Sequence, residues 1–263
     1  MRDFTLNMYK NLLLALLAAD YRFITFVDYI RCHASHERMI ILRHDVDDKP
    51  LRSLKTAEME NELQIKGCYY FRIIKNRLAG GVIAQVAGLG HEIGYHYNDL
   101  HDASGDKDRA RELFRRNLAK LRELAPVETA SMHGSPLSRF DNRELWRDGN
   151  YREYGIIGEP YFDIDFSEVL YLTDTGRRWD GEKVSIRDKV NGNGLRPAPV
   201  LHSTTDIIQA LDNKTLPCRI MLTVHPQRWT GNYFIWTKEL IWQKFKNLIK
   251  YLRLFRMEKS GTK

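Results

Sequence analysis

The chain has 263 residues, 43% hydrophobic and 29% charged, the balance of an ordinary globular protein, and it contains no low-complexity tract or internal repeat. Its 41 Lys and Arg against 34 Asp and Glu give a net charge of +7; this is too mild at this length to indicate nucleic acid, though it suits an anionic substrate or membrane surface. Three scattered cysteines, Cys32, Cys68 and Cys218, form no CxxC pair, which excludes a zinc ribbon or a disulfide framework and fits a reducing compartment.

In chain order, the pattern predicts an amphipathic helix from Phe4 to Ala19. Its apolar run from Leu12 to Ala19, behind Arg2 and Lys10, resembles a short signal peptide, but Asp3 lies in what would be the basic flank and the pattern runs on into Tyr21, Phe23, Ile24 and Phe26. The expectation is therefore a packed helix and a cytoplasmic location. No segment approaches the roughly 20 apolar residues of a membrane span.

A short strand over Arg22–Phe26 and a helix through Tyr29 and Ile30 precede the most informative stretch, a strand over Ile40–Asp47. Four consecutive apolar residues, Met39 to Leu42, run into Arg43-His44-Asp45-Val46-Asp47-Asp48. Three carboxylates this close repel one another, so a strand end that keeps them together points to a metal ion or a proton-transfer task. The plain alternative is a solvated turn with Asp48 capping the next helix. Pro50 opens that helix, which runs to about Gln64 with Leu51, Leu54, Ala57 and Met59 expected inward. Strands follow at Cys68–Ile73, His91–His96 and Thr129–His133, with helices at Gly81–Ala87 and Asp106–Leu124 and a short helix around Leu145. The Asp106–Leu124 helix carries the clearest stripe, Ala110, Leu113, Phe114, Leu118, Leu121 and Leu124.

Strands at Gly155–Glu159 and Val169–Asp174 come next, then a polar loop from Arg177 to Pro199, a helix over Thr204–Leu211 and a strand over Arg219–His225. A closing helix over Trp236–Phe255 is expected to turn Ile241, Phe245, Leu248, Leu252 and Phe255 inward. Its basic face, Lys246, Lys250, Arg253 and Arg256, is most simply solvated and otherwise a weak membrane-surface contact. Strands alternating with helices imply parallel βαβ units. About seven strands in one chain favour a barrel. One domain is expected over 1–263, with an N-terminal extension over 1–36, a core over 37–230 and the terminal helix over 231–263.

Chemically capable residues follow one strand after another: Asp45 and Asp47, His96, His133, Asp174 and His225. In a parallel barrel these ends converge on one mouth. There a carboxylate and imidazoles can hold a divalent metal beside a base and an acid.

These residues also carry a resemblance, over Met39 to Trp229, to the polysaccharide deacetylases of the NodB-homology type, which are distorted (β/α) barrels that remove N-acetyl groups from sugars with a divalent metal. Arg43-His44-Asp45-Val46-Asp47-Asp48 resembles the first motif of that family, normally Thr-Phe-Asp-Asp-Gly. Gly90-His91-Glu92-Ile93-Gly94-Tyr95-His96 resembles the second. Ser131-Met132-His133-Gly134-Ser135-Pro136 stands where an Arg-x-Pro-Tyr loop is expected. Asp174-Thr175-Gly176-Arg177-Arg178-Trp179 resembles the fourth motif and Leu222-Thr223-Val224-His225 the fifth.

The resemblance implies a distorted (β/α)7-type barrel, with Asp45 as general base and His225 as the acid that protonates the departing amine. Asp47 and His96 are implied as metal ligands, and Asp174 or Trp179 would help hold His225. The expected cofactor is one divalent metal, zinc first, and the expected partner an N-acylated sugar or glycan intermediate of surface-polysaccharide assembly. The usual second motif is His-x-x-x-His, but Leu100 stands four residues after His96 and His101 one further on. The third ligand is then His101 after a local rearrangement, a water, or another side chain; His91 is a weaker candidate, and Asp48 an alternative to Asp47. The third motif lacks its Arg, a role His133 can take. His133, Asp174, Trp179, Arg228 and Trp229 are the expected substrate contacts, with the indoles stacking on sugar and Arg177, Arg178 and Arg228 gripping phosphate or carboxylate. Two other readings stay open: a glycan-binding protein on the same barrel that has lost catalysis, and a metal-dependent phosphoesterase.

Overall fold

The stretch from Met39 to Val46 becomes β2, the strand on which the sheet is built, and all eight of its residues are buried. The computed structural model describes residues 2–32, 38–75, 77–134, 138–179, 190, 201–243 and 247. The elements in order are α1 (Leu6–Ala18), β1 (Arg22–Ile24), α2 (Phe26–Cys32), β2, α3 (Pro50–Glu62), β3 (Cys68–Phe71), α4 (Gly80–Gly88), β4 (Glu92–Tyr97), α5 (Asp99–Asp102), α6 (Lys107–Arg122) and β5 (Val127–Met132). Then come 3-10 turns at Asn142–Trp146 and Tyr151–Tyr154, α7 (Pro160–Asp163), β6 (Leu170–Thr173), α8 (Thr204–Asp212) and β7 (Arg219–Val224). Residues 233–243 form a further helix, α9.

Seven strands make one sheet, six of them in the order β5-β4-β3-β2-β7-β6 with β1 paired to β2 off this path, and every pairing between them is parallel. β7 takes one edge of β2 over Met39–His44. On the other edge β1 pairs with Met39–Ile41 and β3 with Arg43–Val46. Being paired on both sides explains why β2 is apolar without alternation at its start and tolerates charge only at its C-terminal end.

Among the described residues the sheet does not close on itself, an arrangement compatible with a barrel-like α/β fold. The predicted strand at Gly155–Glu159 is reduced to one parallel bridge, Thr129 to Gly158, because Gly155 turns the chain at φ 71° and Glu159 already caps α7 ahead of Pro160. Ile164, Phe166 and Val169 join one buried cluster with Tyr70, Tyr171 and Met221.

Alternation along β2 sorts its two faces. Ile40 and Leu42 pack outward with α1 and α8 residues such as Leu12, Leu13 and Ile207, whereas Met39 and Ile41 pack inward with Tyr70 and Met221. Arg43, Asp45 and Asp47 continue the inward row. On β4, inward Gly94 has no side chain because a Cβ there would stand 2.3 Å from the Tyr70 ring.

His44 points outward and explains why α3 departs from its expected face. Leu51 is 69% exposed, while Ser53, Thr56, Ala57 and Glu60 are buried. The inner face of α3 is polar because it meets a polar partner. Glu60 Oε1 accepts from Tyr9 Oη at 2.6 Å and Tyr69 Oη at 2.9 Å and lies 2.9 Å from His44 Nε2. Burial alone would raise the Glu60 carboxyl, but His44, His91 and Tyr9 outweigh it and hold the group below its ordinary value. Burial lowers His91.

Both shifts have the same sign for stability. At low pH the unfolded chain binds more protons than the folded one, so stability is present at neutral pH and is lost on acidification, from about pH 6.5 for His91 and about pH 4.3 for Glu60. Thermal denaturation should therefore show Tm falling as pH drops through that window. Glu60→Ala should cost about 3 kcal/mol at pH 7, because His44, Tyr9 and Tyr69 lose a fully buried partner. A Tm unchanged at pH 7 in the variant would contradict this account.

No helix among the described residues is long and apolar enough to cross a membrane. Ser135 and Pro136 of the third motif, most of the Arg177–Pro199 loop, and the helix positions Phe245, Lys246, Leu248, Lys250, Leu252, Arg253, Phe255 and Arg256 lie outside the described residues. Ile241, expected inward, is 66% exposed.

Candidate metal centre

The C-terminal ends of β2, β4, β5 and β7 meet at one place. Asp47 follows β2, His96 lies near the end of β4, His133 follows β5 and His225 follows β7. Asp47, His96 and His133 each offer one ligand atom, all within 4.8 Å of one another, and form the group that could hold a metal ion. Asp47 Oδ1 stands 3.3 Å from His96 Nε2 and 3.4 Å from His133 Nε2. Donors about 2.1 Å from a tetrahedral zinc are about 3.4 Å apart, so the spacing fits.

Protonation fits as well. His96 Nδ1 is 3.0 Å from the Ser131 carbonyl, which can only accept, so Nδ1 carries the proton. His133 Nδ1 is 3.1 Å from Asn98 Oδ1, and the Asn98 amide is oriented by its Nδ2 donating to Asp102 Oδ1 at 2.8 Å. Arg72 Nη1 lies 3.2 Å from His133 Nε2; a guanidinium can only donate, so Nε2 carries a lone pair, which Arg72 occupies here and would yield to a bound cation. Burial, ahead of its charged neighbours, holds His133 well below its ordinary value and therefore neutral.

On Asp47, Gln227 Nε2 donates to Oδ2 at 3.0 Å, while buried Oδ1 has no hydrogen-bond donor. Burial would raise this carboxyl, but His133, His96 and His225 outweigh it and hold the group well below the ordinary range. Two imidazole lone pairs and an orphaned carboxylate oxygen, each fixed from behind, are the donor set of a divalent cation.

This corrects two expectations. His101, expected as a ligand, is not in the cluster: it sits on α5, exposed, with Nδ1 on Ser138 Oγ at 2.9 Å. Leu100 is buried in the core. The third donor comes from another strand, as His133, which was expected to touch substrate. His91 is also elsewhere, with Nε2 on the Ala57 carbonyl at 3.0 Å. Asp48 is exposed, and Lys49 rather than Asp48 occupies the N-cap of α3.

Two further groups border the triad. Asp45 Oδ2 is 3.7 Å from His96 Nε2, and Arg43 grips both Asp45 oxygens at 2.7 Å. His225 Nε2 is 3.9 Å from Asp47 Oδ2, and its Nδ1 lies 2.6 Å from Asp174 Oδ1. Burial and Arg228 lower His225, but Asp174 outweighs them and the net shift is upward. Asp174 shifts the opposite way: burial raises it, and Arg228 and His225 bring it below the ordinary value. Asp174 therefore favours the protonated form of His225, while Arg228 Nη1, 3.0 Å from His225 Nδ1, opposes it. Arg228 Nη1 donates to the same Oδ1 at 2.7 Å.

The expected substrate contacts are redistributed. Asp174 is fully buried, and its Oδ2 accepts from Trp229 Nε1 at 2.8 Å. Trp229 is 1% and Trp179 4% exposed. Trp179 donates to Thr204 Oγ1 at 3.0 Å, and both indoles pack on Phe4. Neither can stack on a sugar; they are core residues behind His225. Arg177 lies over the Phe4 and Trp236 rings. Arg43, Arg72, Asn98 and Gln227 were missed. Of these only Arg43 had a sequence signal: two residues before Asp45 on a strand, it must share its face.

No family model matches the chain, and no curated protein matches it.

Proposed function

We propose that the protein is a metal-dependent hydrolase that removes an N-acyl group from a sugar, on a NodB-like barrel. One observation carries this reading: the Asp47–His96–His133 triad is bordered by a carboxylate, Asp45, and by an imidazole, His225, that is backed by Asp174. Amide hydrolysis needs both partners, because the carbonyl is a weak electrophile and the amine leaves only when protonated.

Asp47, His96 and His133 would hold the zinc ion, which when bound would supply carbonyl polarisation and a water of pKa about 7. Asp45 takes the proton of the attacking water, oriented by the Arg43 clamp. Water oxygen bonds to the acyl carbon, the C–N bond breaks, and His225 Nε2 gives its proton to the departing nitrogen. Asp174 balances the His225 charge, and Arg228 and Trp229 hold Asp174 in place. The products are a carboxylic acid and an amine.

The degenerate glycan-binding reading rested on a missing third ligand, and His133 offers that donor. Assay of N-acetylated sugars beside p-nitrophenyl phosphate separates the remaining readings. Amine release that stops on chelation is the expected result. Phosphate release without amine release would replace the deacylase with a phosphoesterase.

A further inference from the structure

A cavity of about 610 Å³ opens beside the triad and is lined by Asp47 itself. Its lining combines apolar Val46, Pro50, Phe71, Ile74, Leu78 and Ala79 with the cations Arg72, Lys75 and Arg77. That volume is in the range of small-molecule sites, roughly 300–1,000 Å³. Ile74 and Arg77 exchange both backbone hydrogen bonds, at 3.2 and 2.9 Å, and Lys75 has φ 50°. Among the described residues no carboxylate pairs with Lys75 or Arg77, and buried Arg72 Nε has no partner. Asp48, which also lines the cavity, makes no ion pair with them. Two cations without a carboxylate partner and a third with one open nitrogen, beside an apolar wall, favour an anion that also has an apolar face.

We infer that this cavity binds an oxyanion substituent of the substrate, a phosphate or carboxylate carried on the N-acylated sugar, with Arg72, Lys75 and Arg77 as its donors. The inference rests on the deacylase reading for the sugar but not for the anion. Lys75 and Arg77 are exposed, so Lys75→Gln with Arg77→Gln leaves the core untouched.

The test is calorimetric titration of the full chain, as purified, with N-acetylglucosamine, N-acetylglucosamine 1-phosphate and N-acetylmuramic acid. At least one charged sugar should bind about tenfold tighter than the neutral one, and the double variant should bring that ratio close to one. Preference for the phosphate or for the carboxylate identifies the oxyanion, and either supports the site. Equal affinity for all three sugars, or a preference unchanged in the double variant, would overturn it. Binding is read without turnover. Charge preference with no amine release upholds this site and sinks the deacylase; amine release with no charge preference does the reverse.

Discussion

Replacing His133 with alanine should empty the metal site: purified His133→Ala should carry only background metal where the unaltered protein carries one equivalent. Loss of an outer partner of a ligand already costs about 10- to 100-fold in affinity, and loss of the ligand itself should exceed that. His101→Ala should leave metal content unchanged, since His101 is exposed and bonded to Ser138. Asn98→Ala should fall between them, because it releases the His133 ring without removing its lone pair. Elemental analysis of the three variants reads the result. Metal lost from His101→Ala and kept in His133→Ala would reverse the assignment made from Asp47, His96 and His133.

The second large effect concerns chemistry rather than binding. Asp45→Asn should lower kcat by about 10²- to 10⁴-fold, the usual contribution of a positioned base, while the metal stays bound. Asparagine keeps the shape and one acceptor for Arg43, but Arg43 is 1% exposed and loses an ionic partner. A Tm measured beside kcat separates the two consequences. Near-normal kcat in a folded, metal-loaded variant would remove Asp45 from the role of base.

Much of this was legible in the residues because strand ends announce themselves. The run Met39–Leu42 followed by Arg43, Asp45 and Asp47 marks a central strand ending in an inward row of charge, since side chains alternate and β2 is paired on both edges. The start of α3 followed from Pro50, and α6 begins one residue after the expected Asp106, while both helices end two residues before the expected Gln64 and Leu124. The third metal donor was not legible from local spacing, because ligand choice depends on which strands are neighbours. β4 lies beside β5 with His96 opposite Ser131, so His133, two residues past Ser131, comes alongside, while His101 is carried away on α5. The indoles misled for a related reason. Trp179 and Trp229 follow β6 and β7 near the site, but Phe4 and Tyr9 at the N-terminus reach back to cover Trp229. The polar inner face of α3 was hidden because hydrophobic periodicity cannot register a buried Glu60 whose partners, His44 and Tyr69, lie on two strands.

The most direct test of the central claim is a zinc titration of chelator-treated protein, following amine release from an N-acetylated sugar. Turnover should be absent at the start, rise in proportion to added metal and level off at one equivalent per chain. Full turnover before any metal is added, or none with zinc or any other divalent ion at one equivalent, would contradict it.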